Sequence, residues 1–497
     1  MMIRVVGLGL AFHGKYIFED VNLNINSQEK IGLIGRNGSG KSSFIKIILG
    51  QLEADNGKIV IPNYYQIGCL EQHLKFKHDS IIDEMASVLT EERAYELWKG
   101  EKILQGLGFS EDDMLSDPNT FSGGYQVKIN LAKLLLLEPD LLLLDEPTNY
   151  LDIHSTKWLK SFLKKWPTEL ILITHDRAFM DSIITHTITI HRGLFRKTPG
   201  TTQKIKEQIA KEEELHEKAR ESQERKRKET QEWIDRFKSK ASMASRAQSK
   251  VKALEKQKVY DKLTDVRNLE FQFNYLPYKS KKPLLTVENI TFGYPDAEIL
   301  IKDFSLEINA EDKICVIGKN GKGKSTLLKL ISKAMPTTQG TIIQNDKVET
   351  GYFGQMNIDR LHGHNTVCEE IQAANQSASE SDVRKVCSRV LFSGDDAKKK
   401  IAILSGGERS RVMLGKILIK QANLLFLDEP TNHLDMESAD SLMLAIQQFQ
   451  GAVVMVTHDE LYLKKIANKL IIYDDGKVFM FNDSYDDFLR RVGWKDV

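Results

Sequence analysis

A repeat with one fixed spacing constrains this chain more than any other feature. The string GLIGRNGSGKSSF (32–44) returns as CVIGKNGKGKSTL (315–327), and FSGGYQVKINLAKLLL (121–136) returns as LSGGERSRVMLGKILI (404–419). LLLLDEPTNYLD (141–152) returns as LLFLDEPTNHLD (424–435), and ITHD at Ile173 returns as VTHD at Val456. Lys41 and Lys324, Ser122 and Ser405, Glu146 and Glu429, and His175 and His458 all stand 283 residues apart. Four strings sharing one offset mean tandem duplication of one domain, each copy of ordinary domain size. The 497 residues divide into 1–199, 200–283 and 284–497, and the middle segment lacks the repeated strings.

Each copy reads as α/β. KIGLIG and KICVIG are short apolar runs entering a glycine loop, a strand–loop–helix pattern. LLLLDE, LLFLDE, ELILITHD and AVVMVTHD are continuous apolar runs ending in polar residues, as in strands buried on both faces of a parallel sheet. Ligand chemistry in such sheets sits at the carboxyl ends of the strands. Seventy basic and 69 acidic residues give a formal charge of +1, so a nucleic-acid bias can only be local. Cys69, Cys315, Cys368 and Cys387 form no CxxC pair. This argues against a zinc cluster or disulfide framework, and for a reducing, cytoplasmic setting. The most apolar run, LLLLEPDLLLLDEP, is interrupted by charge and proline well short of the ~18 residues a membrane helix needs, so membrane insertion is not expected.

The repeated strings carry phosphate chemistry. GRNGSGKS and GKNGKGKS are glycine-rich loops whose backbone N–H groups and following helix N-terminus face an anion. The expected phosphate-binding set is Gly35, Asn37, Gly38, Gly40, Lys41, Ser42 and Ser43, repeated as Gly318, Asn320, Gly321, Gly323, Lys324, Ser325 and Thr326. Lys41 and Lys324 reach the β- and γ-phosphates, and Ser42 and Ser325 hold Mg²⁺. Asp145 and Asp428 end apolar strands and complete the Mg²⁺ site. Glu146 and Glu429 follow them, placed to polarise the water attacking the γ-phosphate. His175 and His458, each after a strand, are expected at the γ-phosphate; Gln72 and Gln355, at the same offset, at Mg²⁺ and the attacking water. Ser122, Gly123 and Gly124, and Ser405, Gly406 and Gly407, each open a helix and form a second anion site. One phosphate group cannot be cupped by two helix N-termini of one rigid domain that point apart. A sandwich is therefore expected, in which the serine-glycine loop of one copy closes on ATP held by the other.

These loops resemble those of ATP-binding cassette ATPases. DEPTNYLD, DEPTNHLD and WIDRFKSKASMASRAQSKVKALEK resemble the F subfamily (ABC-F) in particular, and the resemblance covers nearly the whole chain. It implies two tandem cassettes binding two ATP molecules head-to-tail in an intramolecular pair, hence a monomer. It also implies adenine stacking on Phe12 and Tyr294. The departures are Phe121 and Tyr125 in the first signature loop, Tyr150 opposite His433, and Glu408 where Gln is common. None removes a catalytic group, so both sites are expected to hydrolyse ATP.

The middle segment has a different character. From Lys204 to Phe237 it contains no Gly or Pro and is rich in strong helix formers. Ile205, Ile209, Trp233 and Phe237 are sparse but helically spaced, predicting a long solvated helix reaching on the order of 50 Å. A turn near KSKASMAS and a second helix with Ala247, Val251 and Leu254 as its apolar stripe complete an expected antiparallel hairpin. Nine basic residues in 236–262 stand against Glu255 and Asp261. This is either a soluble spacer or a basic prong reaching phosphates, and the prong is favoured. The resemblance implies binding at the ribosomal exit (E) site, with the linker at peptidyl-site tRNA; Arg236, Arg246, Lys250 and Lys252 are the expected RNA contacts. The span from Gln72 to Ser122 equals that from Gln355 to Ser405, so no extra arm is inserted in the first cassette. With a short hairpin tip, this favours a housekeeping translation factor over an antibiotic-resistance protein. An importer subunit usually lacks such a linker, and a DNA-repair cassette ATPase would need zinc-binding cysteines, so no DNA partner is expected.

Overall fold

The computed structural model describes residues 2–12, 15–70, 76–237, 243–256, 269–295, 299–354, 361–432, 434–474 and 477–493. Gln72, Gln355 and His433 lie outside these residues, as does most of the expected hairpin turn. The chain forms two units, one made of Met1–Pro199 with Asn268–Val497, the other of Gly200–Arg267.

Within the larger unit the two copies build one sheet twice. The first sheet runs Ile67–Cys69, Leu141–Asp145, Glu169–Ile173, Lys30–Gly35, His186–His191, Leu194–Pro199. The second runs Thr350–Phe353, Leu424–Asp428, Ala452–Val456, Lys313–Gly318, Lys469–Asp474, Lys477–Phe481. Only the last pair of each is antiparallel. A three-stranded antiparallel sheet accompanies each: Lys15–Ile25, Ile3–Phe12 and Asn56–Val60, then Ile299–Ile308, Leu285–Gly293 and Gln339–Gln344.

The unbroken leucine run is explained by the layers on both sides of it. Side chains alternate along a strand, so Leu141 and Leu143 enter one core with Val5, Phe44 and Ile45, while Leu142 and Leu144 enter another with Ile129 and Leu131 of helix Gly123–Leu137. All four leucines are fully buried, each contributing roughly 1.5–3 kcal/mol by area. Leu424 with Phe426 and Leu425 with Leu427 divide the same way in the second copy. Leu269, Phe271 and Phe273 also join the second copy's core, and Asn274–Tyr275 pairs in parallel with Gln421–Ala422.

The smaller unit contains helix Thr202–Phe237, 36 residues and therefore ~54 Å long, and helix Ala244–Lys256, which packs against it. With little apolar surface, the long helix is braced by pairs one turn apart, Glu214–Lys218 at 2.6 Å and Glu217–Arg220 and Glu224–Arg220 at 2.7 Å. No helix among the described residues is long and apolar enough to cross a membrane.

Candidate ATPase site

Each phosphate loop joins a central strand to a helix, Lys30–Gly35 to Lys41–Ile48 and Lys313–Gly318 to Lys324–Ile331. Gly40 and Gly323 are the N-caps, left-handed at φ 97° and 96°, and no side chain caps either helix. The first-turn N–H groups are thus left for an anion. At Gly40 the fit is also steric, since a Cβ would stand 2.6 Å from Ile17. At Gly38 and Gly321 a Cβ would meet nothing within 4 Å, so the backbone there borders open space. Lys41 Nζ donates to the carbonyls of Gly35 (2.7 Å) and Arg36 (3.0 Å), and Lys324 Nζ to those of Gly318 (2.9 Å) and Lys319 (2.8 Å). Burial lowers both lysines, Lys324 to about 8, against the pull of nearby carboxylates. Burial disfavours the charged form of such a lysine, and a neighbouring anion offsets that cost.

Ser42 Oγ donates to Asp145 at 3.2 Å, and Ser325 Oγ to Asp428 at 3.0 Å. A hydroxyl and a carboxylate brought together on one wall form the all-oxygen donor set that suits Mg²⁺. Burial raises both carboxyls, Asp428 to about 6 with help from Glu429. Ser43 and Thr326 follow in the first helical turns, and Thr326 Oγ1 is 3.3 Å from the Tyr294 hydroxyl. Phe12 ends strand Ile3–Phe12 and Tyr294 directly follows strand Leu285–Gly293; the two residues are 46% and 43% exposed, open enough for a planar group to stack.

Glu146 and Glu429 have φ of 52° and 46°, a left-handed conformation costing roughly 1–3 kcal/mol for a non-glycine residue. Their backbones are fixed by Glu146 N donating to Ile173 O at 2.8 Å and Glu429 N to Val456 O at 3.0 Å. The strand leading to each histidine therefore sets the position of each glutamate. His175 Nε2 is 3.0 Å from Glu146 Oε1, and His458 Nε2 is 3.5 Å from Glu429 Oε1. The two carboxyls nevertheless diverge. Burial, and next Asp145, push Glu146 up to about 8. Burial also pushes on Glu429, but His458 and Asn432, whose Nδ2 donates at 2.5 Å, outweigh it and hold the carboxyl below its ordinary range.

The signature loops also differ. Ser405 caps helix Gly406–Leu418 in a capping box with Glu408, while Ser122 opens helix Gly123–Leu137 without a side-chain cap bond. In the first copy Tyr125 packs on Phe109 and Phe121 instead. A Cβ at Gly123, Gly124 or Gly406 would meet nothing within 4 Å, and Gly407 lies in the first turn of its helix.

The two copies face each other through residues that motif reasoning overlooked. Asp152 Oδ1 accepts from Ser155 N, capping its own helix, while Oδ2 accepts from Asn320 N in the opposite phosphate loop at 3.2 Å. Asp435 repeats this with Ser438 N and, at 3.2 Å, Asn37 N. Each phosphate loop is thereby tied to the other copy. Asp152 is held well below the carboxylate range because Lys128 and the N–H donors overcome its burial. Between the copies lies a cavity of about 50 Å³, lined by Glu146, His175 and Asp176 and by their counterparts Glu429, His458 and Asp459. Burial pushes both aspartic carboxyls up, and Asp176 raises Asp459 further. The two aspartates capping the helices could have been found, since they close the repeated DEPTN strings at the common offset. The roles of Lys128 and Asn432 depend on folded geometry.

In the linker, Arg236 lies in the last turn of the long helix, exposed, and Lys252 is exposed on the second helix. Arg246 and Lys250 fall on that second helix as well.

Two facing α/β domains with these loops define a tandem ATP-binding cassette ATPase. Residues 18–149 and 301–432, again 283 apart, match a family described as ABC transporter, and residues 188–273 match a second family with the same description. The putative ATP-binding protein YdiF of Bacillus subtilis is 31% identical over 99% of this chain and 83% of its own length. ABC transporter F family member 3 of Arabidopsis thaliana is 30% identical over 99% of this chain and 75% of its own length. In fold, the chain is similar to a model of ribosome-bound archaeal Pelota and ABCE1 (TM-score 0.61, 17% identity, 96% of this chain and 78% of that one). The chain belongs to the ABC-F family, and it hydrolyses ATP.

Proposed function

We propose that this ATPase acts on translation as a monomer in the cytoplasm. ATP binding pairs cassettes 1–199 and 284–497, the paired form binds the ribosomal E site, and the linker within 200–283 meets peptidyl-site tRNA. Hydrolysis releases the protein. Membership of the F family and the excess of basic residues in 236–262, between the two cassettes in sequence, support this reading. The archaeal relative in fold is itself described as ribosome-bound.

In this mechanism the phosphate loops bind the nucleotide, with Lys41 and Lys324 on the phosphates and Phe12 and Tyr294 under the adenine. Ser42 with Asp145, and Ser325 with Asp428, would hold Mg²⁺, which neutralises phosphate charge when bound. Gln72 and Gln355 belong to the same proposed sets. Glu146 and Glu429 orient the attacking water and, in their ionised form, accept its proton, and His175 and His458 hold the γ-phosphate side of the site. Ser122 and Ser405, with the glycines after them, close on the opposite nucleotide.

Glu146→Gln combined with Glu429→Gln tests the reading. With ATP, the double variant should co-sediment with ribosomes on a sucrose gradient and block translation. Sedimentation with membrane vesicles and not with ribosomes would overturn it.

A further inference from the structure

The two faces that meet in the larger unit arose by duplication, yet beyond the cavity at Asp176 and Asp459 their ion-paired positions carry opposite charge. Arg177 of the first cassette pairs with Asp440 of the second at 3.0 Å. The counterpart of Arg177, 283 residues on, is Glu460, and the counterpart of Asp440 is Lys157. Those two residues also pair, at 3.8 Å, and Lys160 adds a second base to Glu460 at 4.0 Å. The same interface position is thus used twice with its signs exchanged. In both halves the base belongs to the first cassette and the acid to the second. Arg36 with Glu437, at 2.7 Å, follows the same polarity. The Arg177, Asp440, Lys157 and Glu460 side chains are 19–26% exposed, so solvent screens these pairs only in part. One base of the second cassette, Lys464, opposes Lys157, but the effect of Glu460 on Lys157 is the larger.

We infer that this polarity is a pairing code: the basic face of the first cassette fits the acidic face of the second and rejects its own kind. Pairing two first cassettes from different chains would set Arg177 against Lys157 twice. Pairing two second cassettes would set Glu460 against Asp440 twice. Such like-charge contacts suppress wrong partners while opposite charges fix the right one. Unpolarised duplicate faces would let chains join one another through like cassettes, whereas this code directs each first cassette to a second one. The inference concerns cassette pairing and does not depend on a ribosomal partner.

The test uses full-length chains. One variant carries Lys157→Glu and Arg177→Glu, making both faces acidic. Another carries Asp440→Lys and Glu460→Lys, making both basic. A third carries all four changes. Each two-site variant should lose on the order of tenfold or more in ATP turnover, the effect of a penalty of about 1.4 kcal/mol. The four-site variant should recover most of it. An equimolar mixture of the two-site variants, with ATP, should form two-chain species in sedimentation velocity and regain turnover. Raising salt should weaken turnover in the wild-type protein and strengthen it in the two-site variants, because screening removes attraction in one case and repulsion in the other. Wild-type turnover in the two-site variants, a mixture that stays single-chain, or the same direction of salt dependence in all forms would each overturn the inference. The salt series decides the matter even if the four-site variant folds poorly.

Discussion

The divergence of Glu146 and Glu429 makes a prediction of opposite sign for two formally equivalent mutations. Without nucleotide, Glu146 sits where burial and Asp145 push its carboxyl from 4.5 up to about 8. Between those values the native chain holds a proton that the unfolded chain has released, so this residue lowers stability as pH rises and has no further effect above about pH 8. Each unit is worth about 1.4 kcal/mol, so by pH 7 the accumulated penalty is on the order of 3 kcal/mol. Glu146→Gln removes it and should stabilise the nucleotide-free protein at pH 7–8 but hardly at pH 4–5. In a domain of about 200 residues each kcal/mol moves the melting temperature by roughly 2–4 °C, so a rise of several degrees is expected. Glu429 is the reverse case, since His458 and Asn432 hold its carboxyl below the ordinary range. Its ionised form adds stability at neutral pH that disappears as pH falls through its folded value, so Glu429→Gln should destabilise at pH 7 and lose that effect in acid. Calorimetry of the wild type and both single variants, at three pH values, reads this directly. Equal shifts in the two variants, or a Glu146→Gln effect independent of pH, would refute the argument.

Three further outcomes are expected. Glu146→Gln with Glu429→Gln should keep ATP binding and lower turnover by on the order of 10²–10⁴, read by a phosphate-release assay beside nucleotide titration. Asp152→Asn strands the buried Lys128 and should destabilise the chain by roughly 3–5 kcal/mol; adding Lys128→Met should recover part of that in thermal unfolding, because a neutral pair strands no charge. Alanine at Arg236, Arg246, Lys250 and Lys252 together should weaken ribosome binding and make its salt dependence shallower by roughly one unit per lost phosphate contact, while ATPase activity without ribosomes survives.

The fold was legible because a strand buried on both faces must be continuously apolar, and four repeated strings placed those strands, loops and helices in one order twice. The phosphate-loop glycines and strand-end carboxylates were legible for the same reason: their chemistry requires particular residue types at particular spacings. What was not legible depends on contacts between distant segments. An aspartate ahead of a helix reads locally as its cap, but nothing local shows that the second oxygen of Asp152 reaches Asn320, or that Asn432 bonds Glu429. Glu408 appears in sequence as a departure from a common glutamine, and in the folded chain it completes a capping box that Tyr125 cannot form. Matching motifs therefore place the same titratable residues in both cassettes but do not set their energetics. The repeated glutamate is driven toward its protonated form in one copy and held ionised in the other, and the repeated interface position is basic in one copy and acidic in the other. Duplication supplied two equal halves; at the interface, substitutions made them unequal and complementary.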